Sequence, residues 1–285
     1  MDSYQLGAYS VGRVGFGAMQ LPGPGVFGPP RDHDQAVAVL RRAVELGIDH
    51  IDTAQIYGPN VANELIREAL HPYSEDLALV SKVGGKRDEQ ANWLPDQEPD
   101  SLRRQLEENL RTLDTDRLAA VNLRLFDTEV DRELFDRQLT TMIGARDEGL
   151  IAGIGLSNIT VEHLRIALDR TEIVCVQNAY NLLDRTSQPV LDLCAERGIA
   201  FVPFFPLGSG FLPDNPVLNH AAVVREAQKL NRTPAQIVLA WTLSVAPNVL
   251  LIPGTSSVAH LEANTAVRDI ELDKQTKREL DGTAA

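Results

Sequence analysis

Cysteine is nearly absent from the 285-residue chain: Cys175 and Cys194 are the only two. Two thiols cannot build a disulfide framework, which fits a reducing, intracellular setting. Positive charge is also scarce. Against 40 Asp and Glu stand 27 Lys and Arg, a formal net charge of −13, so a nucleic-acid surface with its clustered cations is not expected. A small anionic ligand stays compatible, because a local site can oppose the net field. No apolar run nears the roughly 20 residues of a membrane span. The first twenty residues lack a basic start followed by an apolar stretch, so a cytoplasmic location is expected rather than export. His33, His50, His71, His163, His220 and His260 show no metal-ligand spacing, and H-E-x-x-H is missing, so no metal is expected. There is no G-x-S-x-G elbow and no G-x-x-x-x-G-K-S/T phosphate loop, which removes two further chemistries.

What is present is a rhythm. Short β-rich runs at 14–18, 50–53, 77–83, 118–124, 152–157, 174–178, 200–204 and 249–252 alternate with helical spacing. In 34–46 the apolar residues Ala36, Val37, Leu40, Ala43 and Val44 recur at three- and four-residue steps. Asp32 with Gln35 marks that helix's start and Gly47 its stop. Thr233-Pro234-Ala235-Gln236 reads as a second start: capping Thr, Pro in the first turn, Gln reaching back. Eight strand–helix units predict an α/β fold, a single-domain (β/α)₈ TIM barrel over residues 1–285. A doubly wound open sheet is the runner-up; Gly15-Phe16-Gly17-Ala18-Met19-Gln20 lacks the last Gly of its nucleotide fingerprint. Segments 22–30, 84–99 and 206–216 are breaker-rich, follow strands, and read as rim loops.

Polar residues stand where the apolar runs end: Asp52, Lys82, Arg124, Ser157 with Asn158, and Gln177 with Asn178, while Tyr57 follows in the loop after Asp52. Read singly, each is ordinary, but a barrel gathers all strand ends on one face. Tyrosine, with an ordinary pKa near 10, donates a proton poorly at neutral pH unless a cation stabilises its phenolate. Lysine supplies that cation and aspartate keeps it charged when buried. Such a donor suits a reaction that builds negative charge on a carbonyl oxygen. No side chain here carries a hydride, so a cofactor must. Trp93 is a candidate pocket wall, Trp241 a core residue, and both cysteines read as small apolar fillers.

Ile51-Asp52-Thr53-Ala54-Gln55-Ile56-Tyr57-Gly58 resembles the Asp-Thr-Ala-x-x-Tyr-Gly signature of the aldo-keto reductases. The resemblance continues in order through Gly17-Ala18-Met19, Val80-Ser81-Lys82, Gly155-Leu156-Ser157-Asn158, Gln177-Asn178-Ala179-Tyr180-Asn181, Pro206-Leu207-Gly208 and Ile252-Pro253-Gly254 with Asn264. It implies a (β/α)₈ barrel that reduces a small aldehyde or ketone with NADPH. By that resemblance Tyr57 is the proton donor, Lys82 the cation that eases its ionisation, and Asp52 the anchor of Lys82. Ser157, Asn158 and Gln177 hold the nicotinamide carboxamide, Phe204 stacks on its ring, and Gly17 and Met19 line the cofactor. Leu207, Gly208, Ser209 and Gly210 pass under the pyrophosphate. Gly254, Thr255, Ser256, Ser257, His260 and Asn264 fall at the adenosine end.

Two departures stand out. Where the family usually has His at the end of the fourth strand, this chain has Arg124. Arginine keeps its proton, so it suits polarising a carbonyl or binding a phenolic oxygen or other anion, not shuttling protons. Val121-Asn122-Leu123-Arg124 with Pro253-Gly254-Thr255-Ser256-Ser257 resembles a bacterial subgroup of the family that contains pyridoxal reductases, which makes pyridoxal the leading substrate. Second, Gly254, Ser256 and His260 occupy positions where relatives place Arg or Lys for the 2′-phosphate, so NADPH is expected by resemblance with NADH not excluded. The alternative function is a nucleotide-sensing accessory subunit with little turnover. The partner expected is a small carbonyl compound, with no nucleic acid and no membrane; oligomeric state has no signature in the chain.

Overall fold

The computed structural model describes residues 3–208 and 214–283. The chain opens with a hairpin, β1 (Ser3–Leu6) and β2 (Tyr9–Gly12), paired antiparallel. There follow β3 (Phe16–Gly17), α1 (His33–Glu45), β4 (His50–Asp52), α2 (Val61–Leu70) and β5 (Ala78–Val83). A second hairpin, β6 (Gly85–Arg87) and β7 (Trp93–Pro95), precedes α3 (Pro99–Leu113), β8 (Ala120–Arg124), α4 (Arg132–Asp147), β9 (Ile154–Ser157) and α5 (Val161–Leu168). The rest is β10 (Cys175–Gln177), α6 (Gln188–Arg197), β11 (Ala200–Phe201), α7 (Ala221–Leu230), α8 (Pro234–Val245), α9 (Val258–Thr265) and α10 (Lys274–Asp281).

Seven of these strands form one curled parallel sheet in the order β11-β10-β9-β8-β5-β4-β3. The segment expected as an eighth strand, 249–252, forms none. It makes isolated parallel bridges, Val249 to Phe201 on one side and Leu251 to Val14 on the other. The Gly15 amide donates to the Leu251 carbonyl at 2.7 Å, and the Leu251 amide to the Arg13 carbonyl at 2.8 Å. The first and seventh expected strands shrink to two residues each. The loop expected over 84–99 contains the β6–β7 hairpin, and the β1–β2 hairpin was not foreseen.

Alternation along the strands decides what faces where, since successive side chains point to opposite faces. Leu79 and Val83 of β5 join the apolar layer under the helices, while Ala78 and Val80 join a second cluster inside the curl with Ala120, Cys175, Ala200 and Leu250. Leu6 and Val11 of the first hairpin belong to this inner cluster and close the end where the strands begin. The expected helix starts are present: the Asp32 side chain accepts from the Gln35 amide, and Thr233 with Gln236 forms a full capping box at α8. Such caps are each worth about 1 kcal/mol. Trp241 is buried and stacks on Tyr180 with centroids 6.1 Å apart.

Candidate active site

The inner face changes character along each strand. Where β5, β8 and β10 start it carries the small side chains of Ala78, Ala120 and Cys175, and at the start of β4 the buried imidazole of His50; where the four strands end it carries Lys82, Arg124, Gln177 and Asp52. Register sets them side by side. Asp52 pairs with Val80, Lys82 with Asn122, Arg124 with Ser157, and Ser157 with Gln177.

Asp52 and Lys82 form a buried ion pair, 2% and 5% exposed. Lys82 Nζ also donates to the Thr53 carbonyl at 3.0 Å. The second Asp52 oxygen accepts from Gln177 Nε2 at 2.6 Å. Burying two charges costs several kcal/mol per ion, and only this close pairing with extra hydrogen bonds offsets it. Tyr57 lies beside the pair, 3% exposed, with Lys82 Nζ 5.3 Å from its ring centroid. Arg124 Nη2 donates to the Tyr57 hydroxyl at 3.4 Å, a long contact. Trp93 of the β6–β7 hairpin meets Tyr57 edge-on, centroids 6.2 Å apart, and Arg124 stands 5.9 Å from the Trp93 ring. Tyr57, Lys82, Asp52 and Arg124 are thus brought together.

Gln177 Oε1 is buried without a partner, an unusual condition for a buried polar atom. Ser157 is buried at the end of β9, and Asn158, in the left-handed region at φ 59°, donates its side-chain amide to the Leu125 carbonyl at 2.9 Å. Gly17 and Gly254 lie back to back. A Cβ on Gly17 would come 2.5 Å from the Ile252 carbonyl oxygen, and one on Gly254 2.5 Å from the Gly17 carbonyl oxygen. Both glycines are therefore required by the approach of two backbones. Met19 packs against the outer core. Phe204 continues past β11, its amide donating to the Asn178 carbonyl at 3.0 Å. Leu207 packs on the core and Gly208 takes φ 80°; Ser209 and Gly210 lie outside the described residues. At the far end, Thr255 Oγ1 accepts from the Ser257 amide at 3.0 Å, and Ser257 caps α9 by accepting from the His260 amide. His260 and Asn264 lie on α9 itself.

Sequence reasoning missed a buried amide lattice behind the strand ends. Asn63 of α2 accepts from Thr53 Oγ1 at 2.8 Å and donates to Asn109 of α3 at 3.0 Å. Asn109 in turn accepts from Ser81 Oγ at 2.6 Å, and Gln105 accepts from the Gly84 amide at 2.7 Å. The lattice holds Thr53, next to Asp52, and Ser81 and Gly84 on either side of Lys82. Its signal was Gln105 and Asn109, one helical turn apart on the apolar stripe of α3. Cys175 and Cys194 are buried; burial pushes the Cys175 thiol far up and that of Cys194 to about 12, which leaves both inert.

Comparisons with known proteins identify the family. Residues 13–285 match the model of the aldo/keto reductase family. The chain is 48% identical over 284 residues to pyridoxine 4-dehydrogenase of Escherichia coli K12, covering 99% of this chain and 98% of that protein. It is 37% identical over 286 residues to an uncharacterised oxidoreductase of Schizosaccharomyces pombe, covering 99% and 91%. Among solved structures, an aldo/keto reductase from Klebsiella pneumoniae in complex with NADP and acetate superposes with a TM-score of 0.82 at 27% identity, covering 100% of this chain and 96% of that one. With the family match spanning nearly its whole length, the chain belongs to the aldo/keto reductases, an oxidoreductase family.

Proposed function

We propose that this protein is an NADPH-dependent reductase of small aldehydes, with pyridoxal its leading substrate, built as one domain whose 249–252 bridges close the sheet into an eight-stranded barrel. The observation that carries the reading is the convergence of Tyr57, Lys82, Asp52 and Arg124 at one end of the strands. The resident residues suit the cofactor. Gln177 Oε1, buried and unpartnered, is an acceptor for a carboxamide NH₂, and the Thr255–Ser257 turn at the start of α9 offers hydroxyls and amide N–H groups to a phosphate. Arg31 lines the same rim cavity as Ser256, a cation for the 2′-phosphate where Gly254, Ser256 and His260 provide none. When bound, NADPH supplies the hydride.

The chain's own residues handle the oxygen. The Tyr57 hydroxyl donates a proton to the carbonyl oxygen, and the charges of Lys82 and Arg124 stabilise the phenolate left behind. Asp52 holds Lys82 in place without approaching the substrate. Arg124, tied only loosely to Tyr57, offers further donors to an anionic oxygen next to the carbonyl, as the phenolic oxygen of pyridoxal is. Trp93, edge-on to Tyr57, forms one wall of the site. The relative in Escherichia coli named pyridoxine 4-dehydrogenase supports the choice of pyridoxal.

A panel of aldehydes including pyridoxal, followed by loss of NADPH absorbance with an NADH arm, tests this reading. Turnover of pyridoxal above that of unsubstituted aldehydes is the expected result. Tight cofactor binding with silence across the panel would establish the nucleotide-sensing subunit instead.

A further inference from the structure

Arg87, on β6, is a cation outside the reacting group. Its Nη2 donates to the Gly25 carbonyl at 3.0 Å and to the Ala91 carbonyl at 2.8 Å, and its Nη1 to the Val26 carbonyl at 3.3 Å. The guanidinium lies 4.1 Å from the Trp93 ring centroid and 5.4 Å from that of Phe27. The adjacent Asp88 acts on it by charge without a direct ion pair among the described residues, and its Nε is buried without an acceptor. A cation so placed is held by ring faces and carbonyl dipoles rather than by an opposite charge.

The carbonyls it holds belong to strained turns. Val26, a β-branched residue, sits at φ 61°, and Ala91 at φ 62°; such conformations cost about 1–3 kcal/mol each and persist only where neighbours impose them. The Val26 carbonyl also accepts from the Gly58 amide at 3.2 Å, and Phe27 bridges Gly58, the residue after Tyr57. Arg87 thus ties together the 22–30 loop, the β6–β7 hairpin and the backbone that carries the proton donor.

We propose that Arg87 is a positioning residue that locks Trp93 against Tyr57, so that the site selects flat aromatic carbonyl compounds over small aliphatic ones. The proposal rests on the reductase reading. Arg87 touches no reacting atom. It fixes where the Trp93 ring stands beside Tyr57, in edge-on contact at 6.2 Å between centroids, and a planar ring that packs on that wall depends on its position, whereas a three-carbon aldehyde does not.

The test compares Arg87→Met, which keeps the length of the stem, with Arg87→Lys, which keeps a cation but loses the fork. With NADPH, KM for pyridine-4-carbaldehyde should rise about fivefold in Arg87→Met, the value of one partly exposed cation–π contact, with kcat changing less than about twofold. KM for propanal and the Kd for NADPH should each move less than about twofold, and Arg87→Lys should recover part of the aromatic KM. Acrylamide quenching of Trp93, isolated by subtracting a Trp93→Phe protein, should increase in Arg87→Met. Equal changes for both aldehydes, no change for either, or unchanged quenching overturns the proposal. Should the unsubstituted protein reduce neither aldehyde, the reductase reading falls, and the quenching arm alone decides whether Arg87 braces Trp93.

Discussion

Replacing Asp52 by Asn isolates the buried pair on which the site depends. The pair is nearly sealed from solvent, and Lys82 Nζ keeps only the Thr53 carbonyl, at 3.0 Å, as a further acceptor. Removing one member of a buried pair costs about 3–5 kcal/mol, because the other charge stays behind unpaired. An amide does not escape this. Both neighbours of Asp52, Lys82 Nζ and Gln177 Nε2, are donors, and Asn presents one oxygen and one further donor, so one of the two faces a hydrogen it cannot bind. At roughly 2 °C per kcal/mol for a chain of this size, the melting temperature should fall by about 6–10 °C. The informative variant is the double replacement Asp52→Asn with Lys82→Met, which removes the stranded charge. Calorimetry without cofactor should return at least half of the lost stability, while turnover stays abolished. A single variant that loses less than about 1 kcal/mol, or a double variant less stable than the single, refutes the claim that Asp52 exists to neutralise Lys82.

Three further outcomes are expected. Tyr57→Phe should lower turnover about 10²–10⁴-fold with the Kd for NADPH unchanged, and normal turnover removes Tyr57 from the proton path. Arg124→His, read at pH 8 where an imidazole is largely uncharged, should raise KM for pyridoxal more than it lowers kcat if Arg124 grips the phenolic oxygen; a pure kcat loss assigns it to the carbonyl instead. Burial drives the His50 imidazole below its ordinary value, against the smaller opposing pull of Asp52 and Asp49. The unfolded chain therefore binds the proton first, and stability is lost as pH falls through about 6.5, by up to about 1.4 kcal/mol per pH unit. His163 shifts the same way, and exposed His33 the opposite way; His50→Gln should flatten the fall in melting temperature between about pH 7.5 and 5.5, and an unchanged slope refutes the assignment.

The parallel sheet and the gathering of Asp52, Tyr57, Lys82 and Arg124 were legible because both follow from periodicity. A strand end is visible as the residue where an apolar run stops, and parallel topology sends every such end to one face. Strand 249–252 was legible as an apolar run, but its ladder reduces to isolated bridges, a matter of backbone geometry that composition does not record. Arg87 was illegible for a different reason. Its partners are the carbonyls of residues 25, 26 and 91, and a carbonyl looks alike in every residue. Gln177 was expected to face a cofactor; its grip on Asp52 crosses 125 positions of sequence, and no local pattern announces it. Net charge misled least where it was used least: the −13 of the whole chain coexists with Arg87 and Arg124, neither paired to a carboxylate among the described residues, at the mouth of the site.

The inner face of the sheet divides labour along each strand, and the division follows from solvation. At the strand starts the hairpin residues Leu6 and Val11 seal the interior, and Ala78, Ala120, Cys175 and Ala200 there are small and apolar, with the buried His50 of β4 the exception. At the strand ends the rim loops bring polar groups to meet ionic residues, and charge becomes tolerable. Lys82 sits two residues beyond Val80 on one strand, and Gln177 two beyond Cys175 on another. Within that spacing, about 7 Å of extended chain, the interior passes from an apolar core to the ionic face of the candidate site. The amide lattice of Asn63, Asn109 and Gln105 lies on the opposite face at the same level, so the strand ends are gripped from behind by neutral hydrogen bonds while their inner faces stay free for chemistry. In that arrangement the backbone of the buried ion pair is fixed by partners that carry no charge, and Lys82, Asp52 and Arg124 are the charged groups brought beside Tyr57.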